Sequence, residues 1–140
     1  MGCPSDMGEL LQIIIIDDEP IVGKRLKQAL AKITPEVEVF ENAVSAMGRL
    51  EEKAFDIVIT DVRMDDMDGI QILEYLAAAH PRTKVIVITG LATIELAREA
   101  LVKGAFDFIA KPFKPDDLRT VISKAAASLG FSGIERKNNQ

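Results

Sequence analysis

Short apolar runs of strand length recur along this chain, each followed by a stretch of helical periodicity, and that alternation restricts the fold more than any other feature. Residues 11–16, 57–59 and 84–88 are continuous and rich in isoleucine and valine, as strands buried on both faces are. Val37, Val39 and Phe40 alternate with Glu36, Glu38 and Glu41, which predicts an edge or near-edge strand. Residues 105–109 supply a fifth. Pro20 suits a first helical turn, and Val22, Leu26, Ala29, Leu30 and Ile33 follow at helical spacing. Asn42 is placed to cap a second helix with Ala43, Met47 and Leu50 inward. Ile72, Leu73, Leu76 and Ala77 mark a third, closed by His80-Pro81, and Ile94, Ala97 and Leu101 a fourth, ended by Gly104. Leu118, Val121, Ile122, Ala125 and Leu129 make the last.

Strict alternation of strand and helix through short loops predicts an α/β fold: a five-stranded parallel sheet with helices on both faces and right-handed crossovers, a three-layer sandwich. A chain of 140 residues is one domain. Residues 11–129 form it, 1–10 are an N-terminal tail, and 130–140 are a C-terminal tail or the start of a linker. The expected strand order is the flavodoxin-like 2-1-3-4-5, in which strands one and three flank the switch point where such folds hold ligands. That order sets Asp17 and Asp18, after strand one, beside Asp61 at the end of strand three.

The strand ends then carry the chemistry: Asp17, Asp18 and Asp61 together with the Thr89 hydroxyl and the Lys111 ammonium. Carboxylates this close either raise their pKa values or bind a cation. A hard divalent ion such as Mg²⁺ is held by one or two carboxylates plus water and substrate phosphate, and Asp18 and Asp61 would serve with the backbone carbonyl of Arg63. Phosphoryl transfer needs an in-line nucleophile, a metal, and cationic or hydroxyl donors for the remaining oxygens. Asp61, Mg²⁺, Lys111 and Thr89 fill those places.

The set Asp17-Asp18, Asp61, Thr89 and Lys111-Pro112-Phe113, in this order on strands one, three, four and five, resembles the receiver domain of two-component response regulators, the CheY-like superfamily. The likeness covers about residues 11–129. It implies that Asp61 is the phospho-acceptor, that Asp17 and Asp18 organise Mg²⁺, that Lys111 pairs with the phosphoryl group, and that Thr89 is the switch hydroxyl. Phe108 falls at the switch aromatic position, and Lys111-Pro112 is expected to be cis. A sensor histidine kinase or a small phosphodonor would supply the phosphoryl group. The face of helix four, strand five and helix five would then dimerise or bind an output partner, in control of transcription. The domain would be regulatory and no enzyme beyond assisting its own phosphorylation and dephosphorylation. The chain departs from the family pattern at Asp65, where proline is usual, at Gly90, where alanine is usual, and at Phe108, which lacks a tyrosine's hydroxyl. Arg63 and Leu91, each two residues past a site residue, are bulky enough to screen water from a phosphoryl-aspartate. The segment GAFDFIAKPF looks like regulators of the nitrogen-control type.

Other readings are narrower. A haloacid-dehalogenase-type phosphohydrolase uses the same residue types, but its first motif wants Asp-x-Asp, and here Glu19 stands two places after Asp17. A flavin carrier would meet an acidic loop that repels phosphate. A docking module that is never phosphorylated has no need of the acid pair and Lys111. The net charge of −5 argues against nucleic-acid contact by this domain. No run approaches the roughly 18 apolar residues of a membrane span, and Asp6 stands where a myristoylation motif wants Ser or Thr. The expectation is a cytoplasmic protein. Cys3, the one cysteine, falls in the tail, and His80, remote from the carboxylates, reads as a helix-end residue.

Overall fold

The computed structural model describes residues 10–64, 67–90 and 93–131. Strands and helices alternate as β1 (Ile13–Ile16), α1 (Pro20–Leu30), β2 (Val37–Phe40), α2 (Ala43–Glu52), β3 (Ile57–Asp61), α3 (Gly69–Ala79), β4 (Lys84–Thr89), α4 (Ile94–Val102), β5 (Asp107–Ala110) and α5 (Pro115–Ser128). The strands form one parallel sheet in the order β2-β1-β3-β4-β5, as the alternation predicts.

Successive side chains of a strand point to opposite faces. Ile14, Ile16, Val58, Val85 and Val87 face Leu50, Leu73, Leu76 and Ala97 of α2, α3 and α4. Ile13, Ile15, Ile57, Ile59, Ile86 and Ile88 face Leu26 and Leu30 of α1 and Leu118 and Ile122 of α5. With helices on both sides, the middles of the central strands are apolar, and their polar residues, Lys84, Thr60, Asp61 and Thr89, stand at or near the strand ends. Each isoleucine so buried contributes about 1.5–3 kcal/mol. β2 lies at the sheet edge, and of its residues only Val37 is fully buried.

Helix starts follow side-chain chemistry. Asn42 accepts the Ser45 amide at 2.8 Å, as predicted, while Asp68 and Gln71 form a reciprocal capping box (3.0 and 3.1 Å) that the periodicity did not indicate. Gly104 takes φ +112° just past α4, a conformation glycine adopts at no steric cost. His80 caps the far end of α3 and donates from Nε2 to the Leu50 carbonyl at 3.0 Å, tying α3 to the end of α2.

Element edges differ from the sequence expectations. Leu11 is buried, but the ladder begins at Ile13, opposite Val37 and Ile57. The last strand runs from Asp107 to Ala110 and not over 105–109, because the Ala105 amide turns back to the Ala100 carbonyl at 2.9 Å and closes α4. Ile33 lies past the end of α1, in a turn where its amide donates to the Leu30 carbonyl, and its side chain still packs on the core. Ala77 and Leu101 are exposed. The buried stripe of α3 is Ile70, Ile72, Leu73 and Leu76, and that of α4 is Ala97 and Ala100, small residues that leave Leu101 outside the contact. No helix among the described residues is long and apolar enough to cross a membrane.

Candidate functional site

The sheet order brings three strand ends together. Asp17 extends the β1 ladder by one step, its amide donating to the Phe40 carbonyl at 3.0 Å, and Asp61 ends β3 opposite Ile88 of β4. Lys111 follows β5, its amide held by the Thr89 carbonyl at 2.7 Å, and the Lys111-Pro112 peptide is cis as expected.

Asp17 has no exposed surface. Its Oδ1 accepts the Glu19 amide at 2.8 Å, and its Oδ2 is buried with no hydrogen-bond partner. The Asp61 side chain is 13% exposed. Its Oδ1 accepts the Arg63 amide at 3.3 Å, and its Oδ2 lies 3.6 Å from Lys111 Nζ. The same ammonium is 3.8 Å from Asp17 Oδ2 and 2.9 Å from Glu19 Oε1. Asp17, Glu19 and Asp61 each offer an oxygen within 4.8 Å of the others. Asp18 is exposed and outside this trio, although its charge acts on Asp61.

Burial raises the Asp17 carboxyl to about 6, and the Asp61 charge adds to the rise against the Glu19 amide and Lys111. Asp61 is also raised, first by burial and then by Asp18, with Lys111 and the Arg63 amide opposing. Burial works against the Lys111 ammonium, but the Glu19 hydrogen bond and the Asp17 and Asp61 charges outweigh it and raise its pKa. Three carboxylates thus share one ammonium, and the orphaned Asp17 Oδ2 marks where further positive charge is wanted. A hard divalent cation fits that donor set.

Thr89 is buried, and its hydroxyl lies 2.7 Å from Thr93 Oγ1 and donates to the Gly90 carbonyl at 3.0 Å. The Gly90 amide donates to Thr93 Oγ1 at 3.0 Å. Thr89 thus stands at the strand end expected of it, with its hydroxyl engaged in the β4–α4 turn. Phe108 is half-buried against the core on the α2–α4 face. Arg63 is exposed, and Asp65 and Leu91 lie outside the described residues.

Sequence reasoning assigned no part in the site to Glu19, Thr93 or Gly69. Glu19 reads as an acid in a first helical turn, and Thr93 as any residue before a helix; only the sheet order and the turn show their partners. Gly69 opens α3 so close to β3 that an added Cβ would sit 2.7 Å from the Asp61 carbonyl oxygen and 3.1 Å from Val62 Cα. Its amide donates to the Val62 carbonyl at 2.9 Å. An Asp-Gly pair at the end of an acidic loop is the signal that could have found it.

A parallel 2-1-3-4-5 sheet that gathers carboxylates and one lysine at its switch point defines the CheY-like class of flavodoxin-like domains. Residues 13–123 match the family model of the response regulator receiver domain, and the chain belongs to that family. It is similar to the regulatory protein AtoC of Escherichia coli (37% identity over 119 residues, 85% of this chain and 26% of the relative). It is likewise similar to the transcriptional regulatory protein ZraR of Klebsiella oxytoca (33% over 125 residues, 89% and 28%). The chain therefore spans about a quarter of the length of these curated relatives. Among solved structures, the receiver domain of NtrX from Brucella abortus superposes with a TM-score of 0.78 at 31% identity, covering 84% of this chain and 99% of that one. Receiver domains are regulatory, serve two-component signalling and bind Mg²⁺ at an acidic pocket, and Asp17, Glu19 and Asp61 form an acidic cluster here. Family membership sets aside the haloacid-dehalogenase and flavin-carrier alternatives.

Proposed function

We propose that this protein is a phosphorylation-controlled switch in which Asp61 accepts a phosphoryl group from a sensor histidine kinase or a small phosphodonor. The observation that carries the reading is the arrangement around Asp61: a half-buried carboxylate 3.6 Å from Lys111 Nζ and beside the unpartnered Oδ2 of Asp17. A carboxylate oxygen of Asp61 attacks phosphorus in line, the bond to the donor breaks, and the leaving group departs with its electron pair. Asp17, Asp18, Asp61 and the Arg63 carbonyl would hold Mg²⁺, and the ion would neutralise charge on the phosphoryl oxygens. A cleft of about 730 Å³ lined in part by Val22, Arg25, Pro112 and Phe113 opens beside Lys111.

The phosphoryl group adds about −1.5 to −2 charges. Lys111 moves onto it, and the Thr89 hydroxyl leaves Thr93 to follow. Phe108 turns inward as the loop shifts, and the face of α4, β5 and α5 is remodelled for a second copy or an output partner. Since Phe108 has no hydroxyl, that step rests on packing alone. The same reading gives residues 11–129 as the receiver unit, after an N-terminal tail and before a C-terminal tail or the start of a linker, a cytoplasmic place, and control of transcription through an output region, in line with the curated relatives. It assigns this domain no contact of its own with nucleic acid or membrane.

The test is intact mass after incubation with acetyl phosphate and Mg²⁺. The wild type is expected to gain one phosphoryl group, Mg²⁺-dependently, and Asp61→Asn none. Arg63→Ala and Leu91→Ala are expected to shorten the adduct's lifetime by admitting water. No adduct with any donor would refute the reading and leave a docking module.

A further inference from the structure

Glu19 occupies the N-cap position of α1, yet its side chain makes no capping hydrogen bond. Its carboxylate reaches across the sheet edge instead, where Oε1 accepts from Lys111 Nζ at 2.9 Å. Of the three carboxylates around that ammonium, Glu19 alone is at hydrogen-bond distance, with Asp61 at 3.6 Å and Asp17 at 3.8 Å. It is also the most exposed of the three, at 62% against 13% for Asp61 and none for Asp17. The lysine nearest the acceptor is thus engaged by a long side chain that can return to water.

We propose that Glu19 is the resting counter-ion of Lys111 and that phosphorylation of Asp61 exchanges it for the phosphoryl group. This inference rests on the reading of Asp61 as acceptor. The bond to Glu19 holds Nζ 3.6 Å from Asp61 Oδ2, beyond hydrogen-bond distance, so the ammonium must loosen this contact to close on a phosphoryl oxygen there. Loosening it costs little, because an ion pair with one exposed partner is weak and its carboxylate is readily rehydrated. Once the phosphoryl group carries its own negative charge, Glu19 is repelled from the site. Glu19 and Lys111 both line the 730 Å³ cleft between α1 and the loop before α5. The exchange replaces an ion pair on that wall with a free carboxylate, so the cleft becomes more acidic once transfer is complete. Glu19 is therefore a positioning residue acting through Lys111.

A double-mutant cycle tests this. The phosphorylation rate with acetyl phosphate at saturating Mg²⁺ is measured for the wild type, Glu19→Gln, Lys111→Met and the double variant. Glu19→Gln is expected to raise the rate about two- to fivefold, the weight of an exposed ion pair, and the gain is expected to vanish in the Lys111→Met background. An equal gain in both backgrounds would reduce Glu19 to a distant charge that repels the donor and overturn the proposal, as would no gain. Mn²⁺ affinity, read by electron paramagnetic resonance without phosphodonor, is expected to change little in Glu19→Gln. A large loss would make Glu19 a metal ligand and overturn the proposal. Proton-detected ¹⁵N spectra of the metal-free protein are expected to show a Lys111 ammonium, assigned by its loss in Lys111→Met, that exchanges with water more slowly in the wild type than in Glu19→Gln. Equal exchange would overturn the resting contact whether or not Asp61 is phosphorylated. A wild type that forms no adduct fails the acceptor reading itself, and with it the exchange.

Discussion

Asp17 shows most directly what building this pocket costs. Its carboxyl ionises near 3.8 when free of the fold and near 6 in the folded, metal-free protein, because burial disfavours the charged form. Between those values the folded state keeps a proton that the unfolded chain has released, so this group's contribution to stability falls as pH rises from about 4 to about 6. The whole shift corresponds to roughly 3 kcal/mol. Urea unfolding in the presence of a chelator is expected to show wild type losing up to that amount relative to Asp17→Asn across this window, and nothing further above it. Mg²⁺ at neutral pH is expected to restore much of the loss in wild type and less in the variant. Parallel pH profiles for the two proteins would remove the account. Gly69 shows a different constraint: the chain can bring α3 onto the Asp61 carbonyl only where there is no side chain.

At the scale of the element, the β4–α4 turn is held by a small hydroxyl network. Thr93 accepts the Gly90 amide and pairs with Thr89, so the residue before α4 binds the turn in place of capping its own helix. Thr93→Val keeps the shape and removes both contacts. Hydrogen exchange at the Gly90 amide is expected to quicken in that variant and to recover in Thr93→Ser; unchanged exchange would show that the turn is held by other bonds. The opposite edge of the sheet is fastened differently. Arg49 of α2 grips Glu38 of β2 through two bonds of 2.8 and 2.9 Å and lies over the Phe55 ring, and this pairing holds the Glu38 carboxyl below its ordinary pKa. An alternating strand such as β2 exposes its glutamates, and α2 makes use of one of them.

For the whole molecule, α4 carries more apolar surface than the core takes up. Ala97 and Ala100 are buried, while Leu101 is 37% and Val102 88% exposed. Sedimentation is expected to show a shift from monomer towards dimer on phosphorylation, reduced in Val102→Lys; a monomer in both states would leave an output partner as the occupant of this face. Much of this molecule was legible in the chain itself. Runs such as Ile13–Ile16 and the segments between them marked a parallel sheet with two covered faces, because burial on both sides favours apolar residues, and the expected flavodoxin-like strand order is the one observed. Asp17, Asp61, Thr89 and Lys111 could be placed at one sheet edge for the same reason, since each follows a strand whose neighbours the topology fixes. What the tertiary structure alone decided is which atoms meet. Ala77 and Leu101 fall outside their helices' contacts because packing distance and not period selects the buried stripe. Glu19 and not Asp18 reaches Lys111, and Thr93 engages Thr89, because a side chain's direction depends on the turn that carries it. Local pattern encodes burial, whereas pairing between residues 92 positions apart exists only once the sheet has closed.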